Sequence, residues 1–202
     1  MTDQPTNAPT PTGMLLIISG PSGVGKTTIT RAVERQLDTV FSVSNTTRPK
    51  TADDVDGVDY HFVTREEFER EREAGELLEW AEVFGNCYGT PRKPVEENLA
   101  KGRVVLLEID VQGAIQVKDN LPEAFAMFVL PPSEEVLLNR LRSRKREDES
   151  AIQRRFAKAR HEIRTARESG AYDTFLVNDD LEKAVAEAVR TIRDELARRA
   201  SS

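Results

Sequence analysis

Apolar residues fall in short, almost unbroken runs along this chain. MLLIIS (14–19) reads as a strand, and VVLLEID (104–110) is a continuous apolar run ending in acids, the mark of a parallel strand buried on both faces. AFAMFVL (124–130) and YDTFLVN (172–178) have the same character. Helical patterns occupy 27–37 after the first run, 133–144 after the third and 180–199 after the fourth. Buried strand followed by helix, repeated, predicts an α/β fold with a central parallel sheet flanked by helices.

Two segments interrupt that alternation. A second strand, VFSVSN, ends near Asn45, and TTRPKTADDVDGV (46–58) is loop-like, punctuated by Pro49 and Gly57. A strand at 59–63, a helix at 64–74, an extended stretch at 77–84, a turn-rich segment at 85–91 and a short helix at about 94–100 follow. The other interruption, 139–160, is rich in arginine. Both are expected as lobes on the edge of the sheet. The pattern therefore divides the chain into a disordered tail (1–13), rich in Pro and Thr with little to bury, a core (14–43, 99–138 and 161–202), and inserted segments at 44–98 and 139–160.

Charge sharpens this division. The formal net charge of −6, from 29 Lys+Arg against 35 Asp+Glu, argues against general nucleic-acid binding. It conceals a segregation: residues 51–82 hold twelve acids and three bases, and residues 139–160 hold nine bases and three acids. The apolar runs are too short to cross a bilayer, and the N-terminus lacks the basic start and apolar stretch of a secretory signal. One cysteine, Cys87, forms no internal disulfide, and two distant histidines, His61 and His161, make no zinc site. A cytoplasmic protein with no membrane partner is expected.

The chemistry begins at Gly20-Pro21-Ser22-Gly23-Val24-Gly25-Lys26-Thr27, a full G-x-x-x-x-G-K-[ST] motif between a predicted strand and a predicted helix. Its glycines let the backbone curl with N–H groups inward, which with the positive end of the helix makes a phosphate cradle. Lys26 can reach terminal phosphates, and the Thr27 hydroxyl suits a Mg2+ ligand. This is a nucleoside triphosphate site. Transfer of a phosphoryl group also needs positive charge on the migrating group, and arginine supplies it best. Residues 139–160 offer Arg140, Arg142, Arg144, Arg146, Arg154, Arg155 and Arg160, consistent with a basic helical hairpin over the phosphates or with a solvated basic surface. For a second substrate, guanine presents an acceptor at O6 and donors at N1 and N2, matched by hydroxyl and carboxylate. Ser44, Glu79 and Thr90 are of that kind, and Arg48, Tyr60 and Tyr88 suit a phosphate. The sequence does not show that these groups converge.

The runs GPSGVGKT, SVSNTTR (42–48), DGVDYHFV (56–63), ELLEWAEVFGNCYGTP (76–91), VVLLEIDVQGA (104–114) and GAYDTFLVNDDL (170–181) occur in the order seen in guanylate kinases, and over about residues 14–200 the chain resembles that family. The resemblance implies a P-loop kinase fold with an inserted GMP-binding lobe and a helical lid, and transfer of the ATP γ-phosphoryl group to GMP. It also implies ATP on residues 20–27, Thr28 and Asn178, with Mg2+ at Thr27. Ser44, Glu79 and Thr90 would contact guanine, and Arg48, Tyr60 and Tyr88 the GMP phosphate. Asp110 would help position GMP, with Glu108 nearby, and Lys26, Arg48, Arg140, Arg144 and Arg155 would carry catalysis. The expected partners are ATP and GMP, with dGMP as a variant acceptor, and the expected state is a monomer or homodimer.

One position departs from the family pattern, TTR-x-P-R. Here Thr46-Thr47-Arg48-Pro49-Lys50-Thr51 puts Thr51 where a second phosphate-binding arginine usually stands. Weaker GMP binding is the expectation, reversed by Thr51→Arg. The rival reading is a non-catalytic guanylate kinase-like module that binds proteins, in which the P-loop is degraded; this chain keeps a complete one.

Overall fold

The computed structural model describes residues 13–83, 85–143 and 148–201. Residues 1–12, nearly all of the stretch read as a disordered tail, lie outside it. The chain runs β1 (Met14–Ser19), α1 (Lys26–Leu37), β2 (Val40–Phe41), β3 (Asn45–Thr46), β4 (His61–Phe62), α2 (Arg65–Glu73), β5 (Leu77–Val83) and β6 (Asn86–Pro91). It continues with α3 (Arg92–Ala100), β7 (Val104–Glu108), α4 (Val111–Asn120), β8 (Phe125–Leu130), α5 (Glu134–Ser143), α6 (Glu149–Glu168), β9 (Thr174–Val177) and α7 (Leu181–Ala200).

Five strands form a wholly parallel sheet in the order β2-β7-β1-β8-β9. β1 shows why the apolar runs are continuous. Met14, Leu16 and Ile18 face Ile29 and Val33 of α1 and Ala188 and Ile192 of α7. Leu15 and Ile17 face the other way, onto Val95 of α3 and Ala114 and Val117 of α4. With both faces covered, residues 14–18 are apolar at both phases of the strand, and the one polar residue, Ser19, ends it. Truncating Ile17, which is fully buried, to alanine would cost about 2–5 kcal/mol. Because every strand points the same way, the segments leaving β1, β2, β7, β8 and β9 gather at one edge of the sheet, where open α/β sheets bind ligands.

A second sheet, ordered β4-β3-β6-β5, stands beyond that edge; β3 and β4 are parallel and the other pairs antiparallel. Phe68 of α2 packs beneath it with Leu77 and Cys87. α2 starts in a capping box, Thr64 and Glu67 each taking the other's backbone N–H. α5 and α6 pack through Leu137, Leu141, Ile152 and Ala159, and the pairs Arg142–Glu149 (2.6 Å) and Arg160–Glu134 (3.0 Å) join them. Among the described residues, no helix is long and apolar enough to cross a membrane.

The structure corrects the sequence reading in four places. VFSVSN is two strands in different sheets: Val40 and Phe41 pair with β7, whereas Asn45 and Thr46 pair with β4 and β6. The turn-rich 85–91 segment contains β6, so Cys87 is a buried strand residue, not part of a turn. Residues 111–120, assigned no element from the pattern, form α4. The second helix of the basic hairpin extends past 160 to Glu168 and covers the core.

Candidate active site

Residues 20–27 join β1 to α1 and are fixed by the core. Val24 is fully buried, and the Asn178 side-chain amide after β9 donates to its carbonyl at 2.7 Å. Gly25 opens α1 in the left-handed region (φ 92°), and a Cβ there would stand 2.5 Å from Asn178 Nδ2, so both backbone and space require glycine. On the other side, Leu141 of α5 lies against Gly23. The start of α1, like that of α3, differs from those of α2, α4, α6 and α7. Those four begin with a Thr or Asp side chain accepting a backbone N–H. α1 has no side-chain cap and no acid in its first turn. Its positive end is left for an anion.

Lys26 Nζ donates to the Gly20 carbonyl at 3.0 Å, folding over its own loop. The Thr27 hydroxyl donates to Glu108 Oε1 at 2.6 Å, and Glu108 ends β7 directly beside β1. Two hard oxygen donors at the mouth of the cradle fit Mg2+, which is held by few protein ligands alongside substrate phosphates. Asp110 caps α4, its Oδ1 accepting the Gly113 N–H at 2.9 Å.

A cavity of about 230 Å³ opens beyond the cradle, lined by Ser44, Tyr60, Glu79, Tyr88, Glu108 and Asp110 among others. A larger one, about 480 Å³, shares Ser44, Tyr60 and Glu108 with it and extends to Thr27. The two cavities thus share walls, and the larger one reaches the end of the phosphate loop at Thr27. Glu79 and Thr90 stand opposite each other on β5 and β6, and the Thr90 hydroxyl donates to Glu79 Oε1 at 2.6 Å. Burial pushes the Glu79 carboxyl up to about 7; Thr90 opposes this shift and Asp110 adds to it. α4 closes on this carboxylate through Gly113, where a Cβ would lie 2.7 Å from Oε2. Thr90 is fully buried behind Glu79 and outside the lining of the small cavity.

Arg48 carries a forked ion pair to Asp54, Nη1 to Oδ2 and Nη2 to Oδ1, both 2.9 Å, with Tyr60 and Phe62 rings beside its guanidinium. The hydrogen bonds from Arg48 and Thr51 hold the Asp54 carboxyl well below the usual range. Tyr60 and Tyr88 meet edge to face, 5.6 Å between centroids.

Of the hairpin arginines, Arg155 reaches back to the Ser22 hydroxyl of the phosphate loop. Arg140 approaches the Asp179 carbonyl at 3.5 Å. Arg144 lies outside the described residues. Arg142 and Arg160 are engaged in the α5–α6 pairs, and Arg154 donates to Ser150. Neither Glu162 nor Asp54 carried a sequence signal of its own. Glu162, on α6, is a buried carboxylate whose pKa burial raises; Lys158, 3.7 Å away, and Lys26 oppose that shift and Asp110 adds to it. Trp80 is partly exposed under the Arg72 guanidinium, whose carbon lies 4.9 Å from the ring centroid.

A parallel sheet with β1 at its centre, a glycine-rich phosphate loop at its edge and a second cavity opposite define a P-loop nucleotide-binding protein. Comparison with known proteins narrows the class. The guanylate kinase family model matches residues 12–195. The guanylate kinase of Symbiobacterium thermophilum is 51% identical over 93% of this chain and 88% of its own length, and that of Synechocystis is 49% identical over 91% and 95%. A solved guanylate kinase from Anaplasma phagocytophilum is 37% identical with a TM-score of 0.72, the match covering 92% of this chain and 87% of that one. The chain belongs to the guanylate kinase family.

Proposed function

We infer that this protein is an ATP:GMP phosphotransferase, passing the γ-phosphoryl group of ATP to the phosphate of GMP to give ADP and GDP. The observation that carries this reading is a buried carboxylate, Glu79, in a cavity that adjoins, through Ser44, Tyr60 and Glu108, a larger one reaching Thr27 at the end of the phosphate loop. A carboxylate accepts from the N1 and N2 donors of guanine and has no such partners on the corresponding edge of adenine.

The geometry supports a division of labour. The amides of residues 20–27 and the uncapped start of α1 hold the ATP phosphates, with Thr28 and Asn178 beside them. Lys26 leaves the Gly20 carbonyl for the transferring phosphate and, with Arg140, Arg144 and Arg155, balances charge that develops on it. Thr27, with Glu108 behind it, would hold Mg2+, which would neutralise charge developing on the phosphates. Ser44 and Glu79 read guanine, Thr90 fixes the Glu79 carboxylate, and Arg48, Tyr60 and Tyr88 hold the acceptor phosphate. Asp110 orients the turn that faces the acceptor. Residues 44–98 then act as the GMP lobe and 139–160 as a lid that excludes water when closed. The expected setting is the cytoplasm.

ADP release measured with Mg2+, ATP and each of GMP, dGMP, AMP, CMP and UMP tests the reading. Turnover with GMP, reduced turnover with dGMP and none with the other three is expected. Equal rates with AMP, or no turnover with any acceptor, would overturn it.

A further inference from the structure

The loop between β3 and β4 places a carboxylate on the arginine proposed to meet the acceptor phosphate, and the inference rests on that reading of Arg48. A guanidinium has five N–H donors in a rigid plane. Arg48 uses three of them: Nη1 donates to Asp54 Oδ2 at 2.9 Å and to the Pro49 carbonyl at 3.1 Å, and Nη2 donates to Asp54 Oδ1 at 2.9 Å. Tyr60 and Phe62, with ring centroids 5.4 and 5.5 Å from the guanidinium carbon, restrain its plane. Among the described residues, the Nε–H and the second Nη2–H have no partner. These two lie along a single edge of the guanidinium and point the same way, the arrangement that grips two oxygens of one phosphate.

Asp54 is itself fixed. Its Oδ2 accepts from the Thr51 N–H and from the Thr51 hydroxyl, both at 2.7 Å, and the Asp54 N–H returns to the Thr51 carbonyl at 3.3 Å. The Arg48 and Asp54 side chains are only 24% and 14% exposed, so the pair is sheltered from water. Thr51, the position that lacks the family's second arginine, therefore has a task of its own. It anchors the carboxylate that aims Arg48.

We propose that Asp54, held by Thr51, is a positioning residue that presents the Nε/Nη2 edge of Arg48 to the phosphate of the acceptor nucleotide. This chain orients one arginine where its relatives' pattern supplies two. Thr51→Arg, which charge alone favours, also removes the hydroxyl that holds Asp54.

Steady-state kinetics of the full chain with GMP and ATP, plus guanosine as a competitive ligand lacking the phosphate, test the proposal. Asp54→Ala should raise the GMP KM about tenfold, a loss of about 1.4 kcal/mol. The ATP KM and the guanosine inhibition constant should move less than about twofold, which loss of fold would not produce. Asp54→Glu should recover part of the loss. Thr51→Val, which removes only the hydroxyl, should shift the GMP KM in the same direction by about threefold and keeps the test open if Asp54→Ala fails to fold. An unchanged or lower GMP KM in a folded Asp54→Ala or Thr51→Val protein overturns the proposal, as does a parallel loss of guanosine binding. Arg48→Ala separates the two levels. If it weakens GMP and spares guanosine while Asp54→Ala does neither, only the positioning role fails. If Arg48→Ala leaves the GMP KM unchanged, the assignment of Arg48 to the phosphate fails with it.

Discussion

On the proposed assignment, the phosphate loop and the acceptor lobe address the same reaction with opposite materials. The loop works through backbone: amides of residues 20–27 and the open start of α1, held by Val24 in the core and by Asn178 from the far side of the sheet. The acceptor lobe works through side chains, and each key one already has a partner within the protein, Glu79 with Thr90 and Arg48 with Asp54. A backbone cradle takes its shape from the fold and reads only phosphate. A side-chain site can read a base, but its polar groups must be kept satisfied and aimed when they are buried.

The largest effect separates chemistry from binding. Lys26→Ala should lower kcat about 100- to 1000-fold at saturating ATP and GMP, the range for removing a donor that acts on transition-state charge. Turnover within tenfold of wild type, about 1.4 kcal/mol, would break the division between a catalytic loop and a recognition lobe.

Glu79 gives the next effect and a signed dependence on pH. Its carboxyl titrates at about 7 in the folded protein against an ordinary value of 4.5. A raised acid binds its proton more tightly when folded. The stabilisation is therefore complete below about pH 4.5 and is lost as pH rises through about 7, a change on the order of 3 kcal/mol. Glu79→Gln should be the more stable protein at pH 8, with the gap closing towards pH 4.5, as read by urea unfolding. Its GMP KM should be about ten- to a hundredfold higher, from the loss of a charged acceptor worth about 1.5–3 kcal/mol. In the wild type the GMP KM should fall as pH rises through 7, and that slope should vanish in the variant. A persistent slope would assign the titration elsewhere.

Asn178→Ala probes the other side of the comparison. Removing the amide leaves the buried Val24 carbonyl unpaired and should cost about 1–3 kcal/mol in stability. It should raise the ATP KM a few-fold and leave the GMP KM alone. An equal rise in both would mean that the two sites are not mechanically separate.

The same contrast explains what was legible. β1, β7 and β8 stand out because burial on both faces erases polar positions, and α1 because its motif is contiguous; β9, read as a strand of the same buried kind, lies at the sheet edge with Phe175 and Val177 exposed and only Leu176 buried. β6 was hidden by its composition: NCYGTP reads as turn, and it is a strand because β3 and β5 pair with it from elsewhere in the chain. The split of 40–45 between two sheets depends on where the partner strands lie, which no local pattern records. α4 was hidden by Gly113, a weak helix former retained where Glu79 comes close. The candidate guanine and phosphate groups could be named from residue chemistry and the family resemblance. The Asp54 and Thr51 anchor could not, because it arises only when the 46–58 loop folds back on Arg48.

The uncapped start of α1 also bears on the melting behaviour of the protein. With Gly25 as its N-cap, α1 forgoes only about a few tenths of a kcal/mol relative to a side-chain cap, and the groups left unmet are those that phosphate oxygens satisfy. On the proposed assignment the nucleotide acts as the N-cap of that helix, supplied from solution. At a concentration a hundred times its Kd, a ligand confined to the folded state adds about 2.7 kcal/mol, or about 5–11 °C in Tm for a chain of this length. Part of the protein's thermal tolerance would then be set by the ATP concentration around it and not written in its own side chains.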